Sequence, residues 1–74
     1  MIQEVTTDAL IKRINRKLAP QNEKLRTYRG ERFFSDLGRY YVVDVNRNSI
    51  EAAHVDVEEM ARQMGVMAKW ERAV

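Results

Sequence analysis

RYYVVDVNRNSIEAAHV, residues 39–55, decides the fold. Its first half is aromatic and β-branched, which suits a pleated, half-buried strand, and NRNS supplies asparagines that accept the left-handed conformation of a tight turn. The second half then returns as an antiparallel partner. Counting the loop as Arg47 and Asn48, or as Asn46 to Ser49, leaves one register: Val45 opposite Ile50, Val43 opposite Ala52 and Tyr41 opposite His54. Such a ribbon buries Tyr41, Val43, Val45, Ile50 and Ala52 on one side. It clusters Tyr40, Val42, Ala53 and Val55 at one end of the reverse side.

Downstream, VDVEEMARQMGV (55–66) satisfies the rules for a helix over about 57–64. Asp56 is the N-cap, Glu59 the second half of a capping box, and Val55 with Met60 a hydrophobic staple. Val57, Met60, Ala61 and Met64 recur at helical spacing, Glu58 precedes Arg62 by four, and Gly65 falls at C′. The tail, 66–74, carries the chain's one tryptophan. Trp70 and Met67 either anchor a partner or, as expected of a core short of large side chains, fold back to close it.

Upstream, KLRTYR (24–29) alternates as a strand, placed at a sheet edge by its charges. Gly30 and Gly38 bracket ERFFSDL, a loop whose two phenylalanines are expected to plug the end of the core. At the front, Thr6 or Thr7 caps a helix over about 7–19 that Pro20 stops. Leu10, Ile11, Ile14 and Leu18 form its apolar stripe, from about 0° to 100° on the helical wheel. Lys12, Arg13, Arg16 and Lys17 occupy about 200° to 340°, a basic face pointing away from the core. The predicted architecture is α+β, in α-β-β-β-α order: one domain, 1–74, with a three-stranded antiparallel sheet packed with two helices.

Composition narrows the chemistry. No cysteine and one histidine exclude disulfides, thiol catalysis and cysteine-ligated metal, and leave a metal only a carboxylate-rich site. No cofactor and no small-molecule substrate are expected. No stretch approaches the roughly 20 apolar residues of a membrane span, and MIQEVTTDAL lacks the marks of a leader, so a cytoplasmic protein is expected by default. Residues 1–40 hold nine Lys and Arg against five Asp and Glu, and residues 41–74 hold four against six, so a basic front (+4) meets an acidic back (−2).

Three constellations invite function. The basic helix face, supported by Lys24, Arg26, Arg29, Arg32 and Arg39, is able to neutralise phosphates, or to pair with acids of the back half or of a second copy. Asp44 opposite Glu51 across the hairpin would need a cation between or beside them, Arg26 or a divalent metal. His54 beside Asp56 has the outline of a catalytic pair, yet Asp56 is engaged as an N-cap and no nucleophile stands nearby. His54 is therefore expected at a strand edge, partly buried and bonded to backbone or to Tyr41.

These residues point to a non-catalytic binding or adaptor module acting through protein–protein association, a homodimer, with Tyr40, Val42, Ala53, Val55 and Trp70 in the contact. The alternative is a nucleic-acid accessory protein using Lys12, Arg13, Arg16 and Lys17.

The predicted element order resembles that of double-stranded-RNA-binding domains and of HicA-class ribonuclease toxins. The residues depart from both. Asp56, Glu58 and Glu59 stand where the RNA-binding domains place lysines at the start of the last helix. SDLGRYY lacks the histidine that the toxins keep at the entry to their second strand. The resemblance is one of topology alone.

Overall fold

The computed structural model describes residues 2–74. In chain order it contains β1 (Gln3–Val5), α1 (Thr7–Leu18), a 3-10 turn (Ala19–Gln21), β2 (Glu23–Thr27), α2 (Phe34–Leu37), β3 (Tyr40–Asp44), β4 (Ser49–Ala52), α3 (Val57–Gln63) and β5 (Glu71–Ala73). The α+β class and the antiparallel sheet β2-β3-β4 are as predicted. A second, parallel sheet pairs β1 with β5 and brings the two ends of the chain together. No helix is long and apolar enough to cross a membrane among the described residues.

Local chemistry sets the helix ends. Thr6 Oγ accepts the Ala9 N–H at the start of α1, and Asp56 Oδ1 accepts the Glu59 N–H at the start of α3. Gly65, at φ +73°, ends α3 in a Schellman arrangement. Its N–H reaches the Arg62 carbonyl, and the Val66 N–H reaches that of Ala61.

Leu10, Ile14 and Leu18 of α1, Val57 and Ala61 of α3, Leu25 of β2, Val42 of β3, Met67 and Val5 form one buried cluster, with Tyr40 and Val55 packed against it. Both long helices therefore lie on the side of the sheet that Leu25 and Val42, register partners, face. α1 also guards the β2 edge. The Asn15 amide donates to the Leu25 carbonyl at 3.2 Å and accepts the Leu25 N–H at 2.7 Å, supplying the bonds a further strand would have made.

The hairpin differs from its predicted register. Asp44 pairs with Ser49, Val43 with Ile50 and, past a bulge, Val42 with Ala52. The cause is the Asp44 carboxylate, which accepts the N–H groups of Asn46 and Arg47 and closes the turn directly behind itself. Val45 is left in the loop. Beyond Ala52 the strand ends because His54 is left-handed, at φ +53°.

The buried side is also the opposite of the one predicted. In β2 the lone apolar residue, Leu25, sits between Lys24 and Arg26, so only its side of the sheet can enter a core. Pairing then carries Val42 inward with it. Phe33 and Phe34, expected to plug the core, are 47% and 43% exposed.

Candidate binding surface

The side of the sheet turned away from the helices follows from the pairing. Lys24, Val43 and Ile50 stand in one cross-strand row, and Arg26 with Tyr41 in the next. The Tyr28 N–H bonds the Arg39 carbonyl and extends the β2-β3 pairing beyond Thr27. Val43 is buried yet lies outside the core cluster, and Ile50 is half exposed. Phe33, Asp36 and Leu37 share a shallow pocket with Ile50, which places α2 at the β4 side of this face.

The loop from β2 to β3 is held in place from two directions. The Tyr28 hydroxyl accepts the Phe33 N–H at 3.0 Å. His54 donates its backbone N–H to Leu37 and its Nε2–H, at 2.9 Å, to the Ser35 carbonyl, which fixes the tautomer because a carbonyl only accepts. Gly38, at φ +72°, makes this approach feasible, since a Cβ there would lie 2.7 Å from His54 Nδ1. So fixed, the loop presents its phenylalanines with guanidinium groups over their rings, Arg32 at 5.3 Å from Phe33 and Arg39 at 5.4 Å from Phe34.

The association residues named from sequence are not brought together. Val42 is in the core, Tyr40 and Val55 are half-buried against it beneath the helices, and Ala53 is exposed in the bend after β4. The reverse side on which they were placed is the one the helices cover. Trp70 is 60% exposed, whereas Met67 does close the core.

The basic helix face divides. Lys12 and Arg16 are exposed. Arg13 grips Glu71 and also reaches the Val66 carbonyl, and Lys17 donates to the Met64 carbonyl at the end of α3. Hydrogen bonds from Arg13 and from the Ala68 N–H hold the Glu71 carboxyl below the usual carboxylate range. The Arg13 guanidinium is in turn held above its ordinary value by that bond.

The acidic pair is not a pair. Asp44 faces Ser49, and Glu51 accepts the Ser49 hydroxyl. Among the described residues no group of three or more His, Asp or Glu side chains is placed to hold a metal ion.

The chain matches no known family model, no curated protein and no solved structure. The site therefore rests on its own geometry. Lys24, Arg26 and Arg39 were legible as charges, but the role of Phe33, Phe34 and Ile50 was not. The available signal was the Lys24-Leu25-Arg26 alternation, which identifies the outward face.

Proposed function

We propose that this chain is a non-catalytic binding module whose working surface is the face of the three-stranded sheet turned away from α1 and α3. The observation that carries the reading is the company this face keeps. Cations on β2 stand in register with Tyr41 and Val43, beside a loop that holds two half-exposed phenylalanines in fixed positions. Exposed aromatic and arginine side chains dominate binding energies where they meet a partner. The groups a catalytic reading would use are engaged in structure: His54 with Ser35, Asp56 with the α3 N-terminus and Asp44 with the hairpin turn.

Amide shift mapping on the whole chain tests this. The probes are a single-stranded oligonucleotide, a short poly-glutamate peptide and the protein itself at high concentration. At least one probe is expected to perturb residues 24–28, 33–37, 39–43 and 50. Perturbation confined to α1 or to the chain ends, with every probe, would overturn the reading.

A second reading, self-association, is favoured by Trp70. It lies next to the β1-β5 sheet, where the Gln3 N–H bonds its carbonyl, and Ile2 at the same end is 67% exposed. Sedimentation velocity is expected to show a reversible dimer that Trp70→Ala abolishes. A monomer at millimolar concentration would dismiss it.

A further inference from the structure

We infer that the outward sheet face is a seat for single-stranded nucleic acid, with the β2-β3 cations on the phosphates and the neighbouring aromatic rings stacking on bases. The inference rests on the binding-module reading above and names its ligand.

Charge gives the first argument. Residues 24–41 hold five cations, Lys24, Arg26, Arg29, Arg32 and Arg39, against two acids, Glu31 and Asp36. Among the described residues none of those cations enters a salt bridge. Lys24 and Arg26 point to the same side of β2, about 7 Å apart along the strand. A polyanion neutralises such a row by releasing its counterions.

A second copy of the chain does not. A two-fold interface centred on this face would set the patch against itself and bring cations onto cations.

Aromatic placement separates a nucleic acid from an acidic protein. Tyr28 and Tyr41 lie along the strands, and Phe33 and Phe34 stand at the rim, with arginine planes over their rings. Alternating π-faces and guanidinium groups over a shallow surface suit unpaired bases, each of which offers a face for stacking. In a duplex those faces are already stacked, leaving phosphates, sugars and groove edges but no open face for an aromatic ring.

Fluorescence anisotropy of labelled 12-nucleotide oligo-U and oligo-dT, with a hairpin duplex as comparator, tests the inference on the full chain. Single strands are expected to bind at least tenfold more tightly than the duplex. The logarithm of the binding constant should fall with log salt at a slope of about −2, or about −0.7 for each of three phosphates.

Tyr41→Ala is expected to weaken binding about tenfold with little change in slope, and Tyr41→Phe to restore it. Arg26→Ala should flatten the slope, and Lys12→Glu with Arg16→Glu should leave affinity near the wild-type value. An unchanged amide spectrum elsewhere in each variant establishes the fold. Equal duplex binding, or no binding at low salt, would overturn the inference. If poly-glutamate perturbs the sheet face where oligonucleotides do not, the ligand is wrong and the module reading stands. If oligonucleotides bind at α1 and no other probe perturbs the sheet face, both fail.

Discussion

Arg13 on α1 holds the Glu71 carboxylate of β5 with both terminal nitrogens, at 3.0 and 3.1 Å, across 58 positions of the chain. Glu71 also accepts the Ala68 N–H, and its carbonyl receives Arg62 from α3. One buried acid thus ties the first helix, the last helix and the C-terminal strand together. Like charges four residues apart weaken an isolated helix, and this contact, with Lys17 on the Met64 carbonyl, explains why α1 keeps the Arg13–Lys17 pair. Arg13 and Lys17 fall at about 300° and 340° on the wheel, flanking the apolar stripe, where α3 and the tail meet them. Lys12 and Arg16, at about 200° and 240°, face solvent.

Glu71→Gln is therefore expected to lower the melting temperature at pH 7, with a gap from wild type that closes in acid. Folding depresses the Glu71 pKa, so the unfolded chain takes up the proton first as pH falls. The stabilisation is complete above the ordinary value of 4.5 and disappears as pH drops through the lower, folded value. Thermal melts at pH 7 and in steps below pH 5 check this. A gap indifferent to pH would show that the charge is not the source.

Asn15→Leu removes the partners of both Leu25 backbone groups at the β2 edge. It should cost roughly 1–3 kcal/mol in a urea melt, the penalty of leaving buried polar groups unbonded. The Leu25 amide should also lose its protection from hydrogen exchange. A Leu25 amide as slow as in the wild type would mean that the edge closes by other means.

The helices were legible because their signals are local. Thr6, Asp56 and Gly65 act within a few residues of where they stand, and the periods of Leu10–Leu18 and Val57–Met64 need no knowledge of the rest of the chain. The hairpin was legible as an element but not in register, because β3 is apolar on both sides. Tyr40 and Val42 compete with Tyr41 and Val43 for the core, and Leu25, on another strand, decides between them. β1 and β5 were missed for a related reason. Three residues carry too little pattern to announce a strand, and their parallel pairing joins opposite ends of the chain.

Two glycines separate backbone strain from steric conflict. Both Gly38 and Gly65 have positive φ, but a Cβ at Gly65 meets nothing within 4 Å, whereas one at Gly38 meets His54 Cα at 3.0 Å. Gly65→Ala should cost about 1 kcal/mol, the price of the left-handed conformation alone. Gly38→Ala adds the clash to a conformation reserved for glycine and should cost about 3 kcal/mol or more. Equal losses in chemical denaturation would contradict the His54 contact.

The most direct check on which side of the sheet is buried sets Val42 against Ile50. Val42 is 4% exposed in the core, and Ile50, 51% exposed, lies on the outward face one row away. Val42→Asp buries an unpaired carboxylate, a cost of several kcal/mol. That consumes most of the roughly 5 kcal/mol expected of so small a core, so the variant should be largely unfolded by circular dichroism. Ile50→Lys places its ammonium in water and should stay within about 0.5–1 kcal/mol of the wild type. The predicted register of the hairpin demands the reverse order of damage, with Ile50 inside and Val42 outside. A single pair of denaturation curves therefore distinguishes the two faces, and with them whether Lys24 and Ile50, on either side of Val43, are turned toward a ligand.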